Sequence, residues 1–150
     1  MHVRRVSPAD EAEWLRVRDA LWPGLPPDHH RQEMAGYLAD EVTHAVFVLD
    51  RGDGRLGGFL EASTRDVAES CETSPVGYVE GWYVDTDLRR SGWGGALVVA
   101  AEEWARGRGY AEMASDCEID NAVSFQAHTA LGYRETVRLV HFRKPLTGGR

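Results

Sequence analysis

The chain has 150 residues, 43% of them hydrophobic, which suffices for one core burying well over half of the unfolded surface and leaves no room for a second domain. Seventeen basic against 24 acidic side chains give a formal charge of −7; this argues against nucleic acid as partner and suits a cationic one, although solubility alone also accounts for an acidic surface. The longest apolar run, 96–101, falls far short of the roughly 20 residues that span a bilayer, and MHVRRVSPADE turns acidic where a signal peptide would turn apolar, so no membrane segment and a cytoplasmic location are expected.

Residues 2–6 suit a short opening strand. Ser7-Pro8, with Asp10 in the capping-box place, then starts a helix whose buried stripe is Trp14, Val17 and Leu21. Trp22-Pro23-Gly24-Leu25-Pro26-Pro27 ends it, because proline cannot continue a helix and disfavours helix in the residue before it. A more polar helix is predicted from Asp28 to about Ala39. The alternation in HAVFVLD (44–50), the turn RGDG (51–54) and RLGGFLEAS (55–63) read as a β-hairpin. Residues 64–76 have no period and read as a loop of the length that is often functional. Cys71 in that loop and Cys117 lack CxxC spacing, so thiols are expected rather than a disulfide or a metal site.

The most informative stretch is 78–95, YVEGWYVDTDLRRSGWGG: an aromatic strand, an acidic turn, and an arginine–glycine loop that opens a helix. Unpaired N–H groups of a first helical turn, glycines that admit a ligand to the backbone, and the charge of Arg89 and Arg90 together suit a phosphate or pyrophosphate. A Walker loop would end in Gly-Lys-Ser/Thr, and a Rossmann fingerprint would carry glycine where this chain has Leu97. What remains is Arg89-x-x-Gly92-x-Gly94. Trp93, Ala96, Leu97, Ala100, Ala101 and Trp104 recur at helical spacing behind it, and Gly107 and Gly109 give stop signals. A short strand, AEMASD (111–116), precedes an Asn121-led helix closed by Gly132-Tyr133, and RETVRLVHFRKPL (134–146) offers one or two closing strands. Loop, helix, strand and second helix in this order resemble the GCN5-related N-acetyltransferases. The resemblance implies an α/β (α+β) fold, a central mixed β-sheet flanked by helices, over a single domain, 1–150.

Acetyl transfer from a thioester to an amine needs a neutral amine, so a carboxylate or a water held by carboxylates must take a proton. In a simple strand Glu80, Trp82 and Val84 share one face and Val79, Gly81 and Tyr83 the other. A glutamate in an apolar strand is expensive to bury unless paired, so Glu80 serves either chemistry or an arginine. Asp116, ending its strand, serves either chemistry or as a turn residue on the approach to the next helix.

WPG at 22–24, SPVGYVEGWYV at 74–84, EMASD at 112–116 and Asn121 through HTALGY to Glu135 further resemble the aminoglycoside 6'-N-acetyltransferases over nearly the whole chain. That resemblance implies acetylation of the 6'-amine of aminoglycoside antibiotics, with resistance as its consequence, acetyl-CoA as co-substrate and no metal. It places Glu80 and Asp116 in the acceptor site, Glu135 beside them, and Trp22 and the 64–76 loop at its border; Asp66, Glu69 and Glu72 of that loop either add negative field for a polycationic substrate or are solvated loop charges. It also implies that the backbone of Arg90, Ser91, Gly92, Trp93, Gly94 and Gly95 holds the pyrophosphate with Arg89, that the main chain at Tyr83 and Val84 pairs with the pantetheine arm, and that Asn121, otherwise a helix cap, touches its end. Relatives in the superfamily place an acid tyrosine seven residues after the asparagine. Here that place holds His128, either a proton donor near neutral pH or a packed helix residue. Another cationic amine (a polyamine, a peptide N-terminus or a lysine) is the first alternative substrate, and a non-catalytic acyl-CoA sensor the second. The mixed strand pattern near the C-terminus allows a homodimer.

Overall fold

The computed structural model describes residues 1–148, in two compact units divided after Asp116. The first carries β1 (His2–Arg5), a 3-10 turn (Pro8–Asp10), α1 (Glu11–Leu21), α2 (Pro27–Ala39), β2 (His44–Asp50), β3 (Leu56–Arg65), β4 (Val76–Val84), a second 3-10 turn (Thr86–Leu88), α3 (Trp93–Gly107) and β5 (Met113–Ser115). The second carries α4 (Ala122–Ala130). The sheet runs β1-β2-β3-β4-β5, antiparallel through β4 and parallel between β4 and β5, and is therefore mixed, as expected.

The expected capping box forms in part. The Ser7 N–H donates to the Asp10 carboxylate at 2.8 Å, and the Arg4 guanidinium grips the same carboxylate and reaches Asp50 at 2.7 Å. One side chain thus ties β1 to the start of α1 and the end of β2. On one face of the sheet, Trp14 and Val17 of α1 and Met34 of α2 pack against Val46, Val48, Leu56 and Phe59. On the other, α3 buries Leu97, Val98, Ala101 and Ala105. Gly77 belongs to that contact, since a Cβ there would lie 3.1 Å from the Ala105 methyl and 2.5 Å from the Met113 sulfur.

Strand β4 departs from simple alternation. Ala62 pairs with Val79 and Glu61 with Gly81, so Glu80 is the extra residue of a β-bulge. The bulge turns both Glu80 and Gly81 toward the α1 face: Glu80 meets Ser63 and Arg65, and a Cβ on Gly81 would strike the Trp22 ring at 2.4 Å. Trp82 falls on the α3 face, where its indole lies 3.2 Å from the Cβ position of Gly94. The expected grouping of Glu80 with Trp82 and Val84 is overturned by this one inserted residue.

In the second unit, the Asn121 side chain accepts from the Ser124 N–H at 3.0 Å and caps α4. Gly132, at φ 91°, closes the helix, with the Tyr133 N–H donating back to the His128 carbonyl at 3.1 Å. The closing strands expected over 134–146 do not form. Among the described residues of this unit there is no other strand, so the alternating apolar side chains of the segment have no ladder to join, and Val140 and Phe142 are 78% and 92% exposed.

Beneath α1 lies a buried ion pair. The Arg18 guanidinium, wholly buried, donates to the carboxylates of Glu61 and Glu33 and, at 3.2 Å, to Nδ1 of buried His30. The Trp14 indole N–H donates to Glu61 at 3.0 Å. Burial pushes the Glu61 carboxyl up to about 7, against the pull of Arg18 and Trp14. Removing one member strands the other in a dry core, so Arg18→Met is expected to destabilise the fold by about 3–5 kcal/mol, and Arg18→Met combined with Glu61→Leu by much less. Urea titrations of the two variants read the difference; equal losses would mean that the pair acts only through packing.

Candidate active site

A cleft of about 470 Å³ opens in the first unit between α1, α2 and the sheet. Trp22 and Tyr37 wall it with aromatic faces, His44 stands at its margin, and Glu33, Glu61 and Glu80 supply carboxylates. Trp22 is seated by an edge-to-face contact with Phe59, centroids 6.0 Å apart, by the Arg18 guanidinium 4.9 Å from its ring, and by the missing side chain of Gly81. Burial, reinforced by the charges of Glu61 and Glu80, holds the Tyr37 phenol far above its ordinary range, so it stays a neutral donor.

Glu80 is held at three points: Ser63 Oγ donates to Oε1 at 2.6 Å, Arg65 Nε to Oε1 at 2.9 Å and Arg65 Nη2 to Oε2 at 2.8 Å. The Arg65 guanidinium lies 3.5 Å over the centre of the Tyr78 ring, and the Tyr78 hydroxyl donates to Asp116 Oδ2 at 2.5 Å. The two carboxylates expected in the acceptor site are thereby joined through an arginine and a tyrosine. Only Glu80 of the pair lines the cleft. Asp66, Glu69 and Glu72 are exposed residues of the β3–β4 loop that do not line it. Glu33, Tyr37, His44 and Glu61 line it without having been singled out from sequence. A signal existed for two kinds of them: Glu61 is a carboxylate in an apolar strand, as Glu80 is, and Glu33 and Tyr37 stand four apart on one face of α2.

The strand edge next to this cleft is open. β5 pairs with β4 only from Gly77 to Val79, so among the described residues no strand pairs with β4 on that side from Glu80 onward. The Asp85 N–H donates to the Gly57 carbonyl at 2.8 Å, and in an antiparallel ladder this directs the main-chain groups of the preceding residue, Val84, away from β3. Arg89 Nε donates to the Val84 carbonyl at 2.9 Å, on that outer side. Alternation then gives the main-chain groups of Trp82 the same outward direction and those of Tyr83 the opposite one.

Beyond β4 the chain is pinned before it enters the loop. Asp85, nearly buried, accepts from Arg16 and Arg51; burial alone would raise its carboxyl, but the two guanidinium groups hold it below the usual range. Arg51 also grips Asp87 at 2.7 Å. Arg90 and Gly92 then adopt positive φ, 61° and 87°, and α3 begins. Its first intrahelical bond is Ala96 N–H to the Gly92 carbonyl, 3.0 Å, which leaves the amides of Trp93, Gly94 and Gly95 ahead of the ladder at the positive end of a 15-residue helix. This fits the pyrophosphate of a coenzyme, with Arg89, Arg90 and Ser91 on the approach. Among the described residues no cluster of side chains assembles that could hold a metal.

In the second unit, His128 Nδ1 lies 2.7 Å from the Ser124 carbonyl and the ring stands edge-on to Tyr133, centroids 5.8 Å apart. A carbonyl oxygen only accepts, so Nδ1 carries a proton. Asn121 serves as helix cap, and Glu135 pairs with Arg138, which holds its carboxyl below the usual range.

A strand edge that parts from its neighbour beside a glycine-opened helix is the arrangement of an acetyltransferase, and the chain belongs to the Acetyltransferase (GNAT) family, which residues 13–133 match. It is similar to an aminoglycoside N(6')-acetyltransferase type 1 of Klebsiella aerogenes, 45% identical over 96% of both chains. Among solved structures it is similar to the apo aminoglycoside 6'-N-acetyltransferase AAC(6')-Ig from Acinetobacter haemolyticus, with TM-score 0.90, 36% identity, and coverage of 98% of this chain and 100% of that one. It is also similar to AAC(6')-Iy in complex with the bisubstrate analogue CoA-S-monomethyl-acetylneamine, with TM-score 0.89, 34% identity, and coverage of 95% and 97%.

The loop geometry sets a test. A side chain at Gly92 must adopt a φ that costs L-residues about 1–2 kcal/mol, and one at Gly94 meets the Trp82 ring. Gly92→Val and Gly94→Leu are each expected to weaken coenzyme A binding about tenfold or more by calorimetry. Unchanged affinity in both would remove the loop from the cofactor site.

Proposed function

We propose that the chain transfers the acetyl group of acetyl-CoA to the 6'-amino group of aminoglycosides, by direct attack of the amine on the thioester. The observation that carries this reading is the place of Glu80: it is the first residue beyond the pairing of β4 with β5, and it also lines the acidic, aromatic-walled cleft. One residue therefore faces the open edge where an acyl-pantetheine arm can lie and the cleft where a polycation can be held. Carboxylates suit such a ligand because they only accept hydrogen bonds and attract ammonium groups, while Trp22 and Tyr37 offer faces to sugar rings.

In this reading the Val84 N–H polarises the thioester carbonyl. Glu80, or a water held between Glu80 and Asp116, takes the proton from the 6'-ammonium. The neutral amine forms the new C–N bond as the C–S bond breaks. His128 returns a proton to the sulfur as the leaving thiolate departs. Asn121 and Glu135 belong to the same proposal, at the pantetheine end and the substrate border. Asp66, Glu69 and Glu72 enter only as a diffuse negative field around the cleft mouth. The need for acetyl-CoA fits work in the cytoplasm, and no helix among the described residues is long and apolar enough to cross a membrane.

Kanamycin- and tobramycin-like substrates are expected to be acetylated at the 6'-amine, and analogues with a 6'-hydroxyl far more slowly, because only the amine within about 3–3.5 Å of the thioester carbon can react. NMR of the product reads the position. Acetylation at a 3- or 2'-amine, or equal rates on the hydroxyl analogue, would reject the 6' assignment and leave acetyl transfer standing. Glu80→Gln and Asp116→Asn are each expected to lower turnover more than melting temperature.

The same proposal includes a homodimer. Residues 134–146 carry Val137, Leu139, Val140, Phe142 and Leu146 exposed, with no strand partner in their own unit, and a second copy can supply one. Sedimentation is expected to show a dimer that Val140→Asp with Phe142→Asp dissociates; a wild-type monomer would overturn this part.

A further inference from the structure

Two arginines neutralise carboxylates of the acceptor cleft, and they differ in one respect. Arg18 is wholly buried and holds Glu61 from beneath, whereas the Arg65 side chain is 41% exposed and holds Glu80 from the margin. Arg65 is the last residue of β3, where the strand gives way to the long loop. Its guanidinium rests with one face on Tyr78 and its donor edge on Glu80. A carboxylate offers about four acceptor positions, and Arg65 takes two of those on Glu80 while Ser63 takes a third. A carboxylate already forked by a guanidinium offers few free acceptor positions and little field to an incoming ammonium.

We propose that Arg65 is a displaceable internal counter-ion: in the substrate-free protein it occupies on Glu80 the acceptor positions that a substrate ammonium takes, and it moves into solvent when a polycationic amine binds. The inference rests on the proposed place of Glu80 in the acceptor site. The exchange is isoelectric, one cation for another, so Glu80 is never left unpaired in the half-buried site. The cost on the protein side is limited, since the Arg65 side chain is already 41% exposed and the released guanidinium regains water. Arg18 cannot exchange in this way, because leaving Glu61 would strand two charges in the core. Ser63 and the bulge hold Glu80 in place while the cations trade, and Arg65 thereby sets the threshold of positive charge at which an amine is admitted.

Calorimetry of tobramycin binding to the full chain, in wild type, Arg65→Met, Glu80→Gln and the double variant, tests the exchange, with steady-state kinetics on the same four proteins. Arg65→Met is expected to bind tobramycin about three- to tenfold more tightly, with a matching fall in KM and no rise in kcat. In the Glu80→Gln background the same substitution is expected to change affinity less than twofold, because there is no carboxylate left to liberate. Weaker or unchanged binding in Arg65→Met, or a loss confined to kcat, would make Arg65 a fixed support of Glu80 and overturn the proposal. A gain that persists undiminished in the Glu80→Gln background would assign it to the general field of the cleft and overturn the proposal equally. The functional reading fails separately: wild type that binds tobramycin without acetylating its 6'-amine defeats that reading, while the order of affinities still decides the exchange, and wild type that binds no tobramycin defeats both.

Discussion

Between the pairs Ala62–Val79 and Glu61–Gly81, β4 carries one residue more than β3, and that residue is Glu80. A strand that kept its register would send Glu80 to the α1 face and Gly81 to the α3 face. The bulge sends both to the α1 face and sends Trp82 across to α3. Each consequence is used. Gly81 leaves the space in which the Trp22 ring lies, Trp82 packs where Gly94 has no side chain, and Glu80 reaches Ser63 and Arg65 on the cleft side. A bulge also bends its strand, and the pairing of β4 with β5 stops at Val79, immediately before it. The open edge and the placed carboxylate therefore share one cause.

The charges around the cleft are graded by burial. Desolvating a lone carboxylate costs several kcal/mol, so Glu61 exists in the core only because Arg18 and Trp14 meet it there. Arg18 then reaches outward to Glu33 and stacks on Trp22, so the buried pair also fixes an aromatic wall and a carboxylate of the cleft. Further out, Asp85 between Arg16 and Arg51 anchors the turn that delivers the chain to the loop before α3. Stability and site geometry are consequently carried by the same ion pairs.

What the sequence disclosed follows from how local each feature is. The hairpin at 44–63, the run of α3 and the anion-binding loop are written in neighbouring residues: Gly52 and Gly54 in the turn, the apolar stripe from Trp93, and Gly92 where φ must be positive. Glu80 was legible as a costly carboxylate, but its direction was not, because a bulge depends on the register of two strands and leaves period-two alternation intact in the sequence. Glu61 escaped for a related reason: its partner Arg18 lies 43 positions away, and nothing local joins them. The strands expected at 134–146 show the opposite limit. Alternation states that a segment can pair; whether it does depends on an edge that the described residues of the same unit do not supply.

These differences divide the site by the kind of atom it uses. On the proposed cofactor side the groups are main-chain ones, the outward edge at Val84 and the amides ahead of Ala96, and their requirement on sequence is mostly for small residues and permitted φ. That is why a short motif can announce them. On the acceptor side the groups are side chains held by other side chains, Glu80 by Ser63 and Arg65, Asp116 by Tyr78, Trp22 by Arg18 and Phe59. A main-chain site tolerates substitution of most side chains around it, whereas a side-chain site changes its ligand when one supporting residue changes. If the proposed assignment of the two sides holds, the fold can keep one acyl donor while the acceptor cleft alters, and contacts such as Arg65 to Glu80 can tune the choice of amine while leaving the sheet itself untouched.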